Sequence, residues 1–173
     1  MKEFFLEEQK FNFLWIQAGL IFAGLFLLCI FGFGINQQVF HGKPFGDNPM
    51  SDSGLVLTFF LLLLFFIALT VLFRTSKLII KVDMEAINFR FVPFHKKFHQ
   101  LYKSEIENFA SITYNPVGDY GGWGIRNGRK GKAYNISGNK GILIRLKSGK
   151  TILFGTQRPD AFLHALKKMM GTD

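Results

Sequence analysis

One uninterrupted apolar stretch limits what this chain can become. Leu55 to Phe73, LVLTFFLLLLFFIALTVLF, holds no charge, no Pro and no Gly, and Arg74 closes it. At about 1.5 Å per residue, a helix of this length covers roughly the 30 Å hydrocarbon thickness of a bilayer. A helix in a soluble core would show a polar face, and this one offers only Thr58 and Thr70. It reads as a transmembrane helix. A second run, Phe13 to Ile35, carries Gln17 as its single strongly polar residue, with Trp15 near the same end, where an aromatic ring meets the headgroups. The rival reading of this run, a cleaved signal peptide, fits less well. Its apolar core is too long, its flank is not clearly positive, and it lacks a small-x-small cleavage site. Ala18, Gly19, Ala23 and Gly24 recur at helical spacing, followed by Gly32 and Gly34. Such residues let helices approach closely in lipid, and the expected partner is the Leu55–Phe73 helix.

Composition adds direction. Of 22 Phe, 15 lie in the first 74 positions, as two lipid-facing helices would require. From Arg74 onward there are 18 Lys/Arg against 7 Asp/Glu, whereas the first 73 residues carry 3 against 5. The loop Asn36–Ser53 is polar, turn-rich and holds only Lys43, while Arg74, Lys77 and Lys81 follow the second helix directly. The positive-inside rule then puts both termini in the cytoplasm and Asn36–Ser53 outside. The charged Met1–Lys10 segment, with Phe4 and Phe5, is expected to form an interfacial helical turn. The basic second part points to a negative neighbour, a membrane surface or nucleic acid. The domains expected are an N-terminal segment with a two-helix hairpin over 1–75 (helices about 13–35 and 55–73) and a cytoplasmic domain over 76–173.

Beyond Ser76 the periodicity changes to alternation. Leu78–Val82 and Ala86–Val92 read as strands around the turn Asp83-Met84-Glu85. Phe98–Tyr102, Ile106–Tyr114, Ala133–Ile136, Gly141–Leu146 and Thr151–Gly155 read as five more, with a glycine-rich loop over Asn115–Lys132 and a two-residue turn at Ser148-Gly149. Pro159 and Asp160 start a final helix with an apolar stripe of Phe162, Leu163, Leu166 and Met169–Met170. Seven antiparallel strands and a helix over their open end are the expected architecture, the helix also protecting sheet edges.

That order of elements, with the segments Tyr120-Gly121-Gly122-Trp123-Gly124-Ile125-Arg126, Ala133-Tyr134-Asn135-Ile136-Ser137-Gly138 and Gly155-Thr156-Gln157-Arg158-Pro159, resembles the small bacterial membrane proteins with a pleckstrin-homology-like (PH-like) domain. The resemblance implies a multi-pass protein of the bacterial inner membrane with a non-catalytic module. The chain departs from phosphoinositide-binding PH domains. Its first hairpin offers Lys81 and Arg90 with Asp83 and Glu85 between them, and two carboxylates would repel a polyphosphate headgroup.

The stretch with most chemical capacity is Tyr120–Arg126. Its glycines permit positive φ and close backbone approach, and successive N–H groups there could cradle an anion. Arg126, Arg129, Lys130 and Lys132 follow with no acidic residue among them. The plainer reading is that Trp123 plugs the sheet and the cations are solvated. Trp123, Arg126, Arg129, Lys130 and Arg158 are therefore the candidate binding residues. Arg158 has an alternative role, bonding loop carbonyls beside the helix start. The loop lacks dinucleotide-fingerprint and phosphate-loop spacing. His95 and His99 are separated by two lysines and follow Pro93, Glu105 and Glu107 sit beside Lys103, and a lone Cys29 in the first apolar run allows neither a disulfide nor a cysteine zinc site. No metal and no cofactor is expected. Basic residues scattered without stacking aromatics argue against nucleic acid as a partner. The expected function is a binding or scaffolding module at the cytoplasmic face, taking a protein segment or an anionic lipid surface. The alternatives are a small membrane enzyme using the glycine loop, with Asp119 as its nearest acid, and an oligomeric structural protein.

Overall fold

The computed structural model describes residues 3–11 and 14–172. The described residues of 1–11 and 75–173 form one compact unit, and those of 12–74 form another.

The first unit is built from nine strands and a C-terminal helix. The strands are β1 (Phe5–Lys10), β2 (Lys77–Val82), β3 (Ala86–Val92), β4 (His99–Tyr102), β5 (Ile106–Thr113), β6 (Gly124–Gly128), β7 (Gly131–Asn135), β8 (Lys140–Leu146) and β9 (Thr151–Gly155). They form a four-stranded sheet in the order β1-β2-β3-β4 and a five-stranded sheet in the order β5-β8-β9-β7-β6. Seven strands were expected, all antiparallel. The two additional ones are β1 and β6, and β7 pairs with β9 in parallel. The N-terminal segment is thus a strand of this unit, not an interfacial turn, and β1 pairs with β2 so that Lys10 faces Lys77. Residues 11–76 are the connection of a β-hairpin whose two strands belong to one sheet. The domain expected to begin at 76 takes its edge strand from before the helices.

The β2–β3 turn shows why an aspartate stands there. Asp83 Oδ1 accepts the amides of Glu85 (2.9 Å) and Ala86 (3.0 Å), and Oδ2 accepts Asn88 Nδ2 at 2.8 Å. This is the side-chain turn that short polar residues make with their own backbone. The inward residues of both sheets, among them Leu78, Ile80, Phe91, Ile142, Ile144 and Phe154, form one core with the last helix. That helix (α4, Pro159–Met170) buries Phe162, Ala165, Leu166 and Met169, a stripe at three- and four-residue spacing. Phe162 stacks on Phe5 of β1 at 4.9 Å between ring centroids. Each fully buried Phe or Leu contributes about 1.5–3 kcal/mol.

The segment Asn115–Lys132 is not a loop. It contains a single helical turn, α3 (Pro116–Tyr120), then β6 and the start of β7. Pro116 opens α3, Asn115 Oδ1 accepts the Gly118 amide at 3.0 Å, and Gly121 closes it in the left-handed region at φ 73°. Tyr114, Tyr120, Ala133 and Leu153 make a second, smaller cluster.

The second unit consists of two long apolar helices, α1 (Leu14–Ile35) and α2 (Asp52–Thr75). Phe13, the expected first residue of the first helix, lies outside the described residues. Ser51 Oγ accepts the Gly54 amide at 3.2 Å, and Asp52 stands in the first turn of α2, where acidic groups are favoured. Two of the small residues face phenylalanine rings of the second helix, but not all of those expected do. A Cβ on Gly24 would meet the Phe66 ring at 3.0 Å and one on Gly32 would meet Phe59 at 3.8 Å, whereas Gly19 has nothing within 4 Å. Ala18, Gly19 and Ala23 are exposed. The connection begins as a π-helical turn over Asn36–Phe40. Gln38 then ties it: Nε2 donates to Met50 O and to Asp52 Oδ1, both at 2.7 Å, and Oε1 accepts the Phe45 amide at 3.2 Å.

Candidate functional site

The five candidate residues do not converge on one point. Trp123 and Arg126 are together: Arg126 Nε donates to the Trp123 carbonyl at 2.9 Å. The Trp123 indole N–H donates to Gly138 O at 3.1 Å, which pins the β6 approach to the β7–β8 turn. The glycine amides that could have cradled an anion are committed inside the fold. Gly121 N donates to Val117 O and Gly122 N to Pro116 O, each at 2.8 Å, and Gly124 N donates to Asn135 Oδ1 at 2.9 Å. Asn135 is itself fully buried and donates to Tyr114 Oη at 3.1 Å. Burial pushes the Tyr114 hydroxyl above the ordinary tyrosine range.

Arg129 and Lys130 form the β6–β7 turn at the other end of β6, and both are exposed. Lys130 Nζ lies 2.9 Å from Asp119 Oδ1. Asp119 also accepts the Asn115 amide at 3.0 Å. The backbone bond first, then Lys130, holds its carboxyl below the usual range. The acid nearest the glycine loop therefore has its partners already.

Arg158 belongs to a different constellation. Its guanidinium donates to the Leu6 carbonyl on β1 and lies 4.9 Å from the Phe5 ring centroid. Beside it runs a buried polar seam not anticipated from the sequence. Glu7, only 7% exposed, accepts the Thr156 hydroxyl on Oε2 and the Gln157 amide on Oε1 at 2.8 Å. Gln9 Nε2 donates to Gly155 O at 2.7 Å. Gln157 Nε2 reaches Ser137 Oγ at 2.9 Å, next to the Gly138 that receives Trp123. Leu6, Glu8, Ser137, Gln157 and Arg158 line an open groove of about 410 Å³. The Gly155–Pro159 segment thus works as a clasp for β1. The signal that could have found it is two inward-phased polar residues, Glu7 and Gln9, in a segment with no other use for them.

His95 and His99 approach to 4.2 Å between ring centroids. His95 Nδ1 accepts the Phe91 amide at 3.2 Å, so the neutral ring carries its proton on Nε2 and presents no free lone pair. Burial first, then His99 and Lys132, lowers the His95 pKa. Among the described residues, no three His, Cys, Asp or Glu side chains come together as a metal site. Comparison with protein-family models, with curated proteins and with solved structures finds no match.

Proposed function

We propose that the chain is a membrane-anchored, PH-like binding module without catalysis of its own. It holds a protein segment or an anionic surface at the cytoplasmic face of a bacterial inner membrane. The observation that carries the reading is the exposure of two helices that are apolar all round. Phe22 is 72% exposed, Leu64 63% and Phe60 58%, along the length of α1 and α2. Soluble monomers rarely expose apolar patches beyond a few hundred Å², and a lipid environment covers such helices without further design. The Lys-poor Asn36–Ser53 connection and the Lys/Arg excess after Arg74 favour the β unit on the inside. Two sheets with a C-terminal helix packed into their shared core support the PH-like assignment. Binding is favoured over catalysis because Asp119, the acid nearest the Trp123–Arg126 pair, is engaged by Lys130 and the Asn115 amide.

The test of anchoring uses the full chain with Cys29→Ser and Asn127→Cys. The protein should stay in the membrane pellet after alkaline carbonate, and the cysteine should react with an impermeant thiol reagent only after cells are opened. Release by carbonate would remove the anchor, and labelling of intact cells would reverse the orientation. The binding role is read by pull-down from mild detergent. A partner retained on wild type should be lost with Trp123→Ala plus Arg126→Ala while the far-ultraviolet spectrum is unchanged. Recovery of no specific partner with folded wild type would defeat it.

A further inference from the structure

Two hairpin tips meet at one end of the five-stranded sheet. β7 and β9 run parallel with Lys132 opposite Ile152, so the β6–β7 turn and the β8–β9 turn stand side by side. Thr151 Oγ1 donates to the Lys130 carbonyl and joins them. Gly131, at φ 104°, permits this approach, since a Cβ there would fall 2.1 Å from Thr151 Oγ1. Leu146 N donates to Lys150 O and Gly149 N to Leu146 O, each at 2.8 Å, closing the second turn on itself. Between the tips lies a groove of about 520 Å³ lined by Lys132, Leu146, Lys150 and Ile152, among others. Arg129 and Lys147 stand exposed on the two turns.

Of the cations at these tips, Lys130 is paired with Asp119 at 2.9 Å. Among the described residues, Arg129, Lys132, Lys147 and Lys150 have no ion pair. Lys132 stands over the Tyr134 ring at 5.1 Å, a position it can keep while its ammonium faces a ligand.

We infer that this groove docks an extended, acidic protein segment, carboxylates meeting Lys132 and Lys150 and small apolar side chains meeting Leu146 and Ile152. The inference rests on the binding role proposed above and gives the module a docking face apart from the Trp123–Arg126 pair. Single-stranded nucleic acid would need aromatic platforms, and among the described residues none lining the groove is aromatic.

The probe is a dye-labelled short peptide of alternating Glu and Val, titrated by anisotropy against the full chain in zwitterionic phosphatidylcholine nanodiscs. Lys132→Gln plus Lys150→Gln should weaken binding roughly tenfold or more, the loss expected of two charge-assisted contacts. Lys96→Gln plus Lys97→Gln, exposed on the β3–β4 connection, should leave it within about twofold, the range of ordinary surface changes. All four side chains are exposed, so folding is not at stake. Unchanged affinity in the groove pair, equal loss in both pairs, or no peptide binding by wild type would overturn the inference. So would tighter wild-type binding to phosphatidylglycerol vesicles or to a single-stranded oligonucleotide that the groove pair abolishes. A partner held by wild type and lost with Trp123→Ala plus Arg126→Ala, alongside any of these outcomes, sinks the groove alone and leaves the module's binding role standing.

Discussion

Glu7 makes the sharpest quantitative demand on this fold. Its buried carboxylate accepts the Thr156 hydroxyl and the Gln157 amide, and Thr156 Oγ1 in turn accepts the Arg158 amide at 3.0 Å. Glu7→Ala removes the acceptor from both donors at once. Hydrogen bonds to a charged group contribute about 1.5–3 kcal/mol each, and a buried donor left without a partner costs about 1–3 kcal/mol. The combined loss is roughly 3–5 kcal/mol, a large part of the ~5–15 kcal/mol by which domains are stable. Desolvating the carboxylate offsets some of this, so Glu7→Gln, which keeps one acceptor oxygen, should lose only about 1–2 kcal/mol. The assay is urea unfolding of the full chain in detergent micelles, followed by Trp123 fluorescence in a Trp15→Phe background. A double-mutant cycle with Thr156→Val should return a coupling of about 1–3 kcal/mol. If Glu7→Ala lies within about 0.5 kcal/mol of its parent, or the coupling is zero, the clasp does not hold β1.

Two further outcomes are expected. The His95 pKa is depressed in the folded unit, so the unfolded chain takes up the proton first. Stability is then complete above the unfolded value of 6.5 and falls as pH drops below it toward the folded value. The groups facing that ring are the Phe91 amide, Arg90 (bonded to the His95 carbonyl), His99, Lys132 and Tyr134. The urea midpoint measured across this range should lose most of its pH slope in His95→Asn, and an unaltered slope would exonerate His95. In the helix pair, Gly24→Ile should lower the thermal stability of the detergent-solubilised chain and Gly19→Ile should not, because only Gly24 has Phe66 against it. Equal effects would mean the α1 face is misassigned.

What was legible in the sequence was whatever depends on local period. The two apolar runs, the strands β2, β3, β8 and β9 and the stripe of α4 carry their patterns openly. β1 does not. Its inward positions are Phe5, Glu7 and Gln9, so polarity and burial are out of phase, and its partner strand lies beyond residue 76. A polar residue can face inward only because Gly155–Gln157 supplies the matching groups, and those come from the other end of the chain. β6 was obscured by Gly124 and Gly128 at its ends and by Arg126 and Asn127 within it. Of the candidate residues, the Trp123–Arg126 pair is adjacent because the two are three positions apart. The distance between Arg158 and Arg129–Lys130 comes from topology, and so does the placement of Lys132 and Lys150 on one groove, which needs the parallel β7–β9 pairing that no local pattern announces.

The inserted position of the helices yields a last prediction, which separates the true domain from its sequence-based boundary. A fragment beginning at 76 lacks β1. It would expose the full edge of β2, one face of Phe162, and the Thr156 hydroxyl and Gln157 amide that Glu7 accepts. An uncovered edge of alternating Leu78, Ile80 and Val82 is a template for pairing with other chains. Such a fragment is expected to aggregate. Joining residues 3–10 to residue 77 through Asn-Gly should rescue it, because Lys10 and Lys77 are directly opposed and a two-residue turn of that composition suits antiparallel strands. Size-exclusion chromatography with urea unfolding decides the matter: the joined form should be monomeric and unfold cooperatively. If the fragment from 76 does the same without β1, the first strand is an accessory, and the helices are appended to the domain instead of interrupting it.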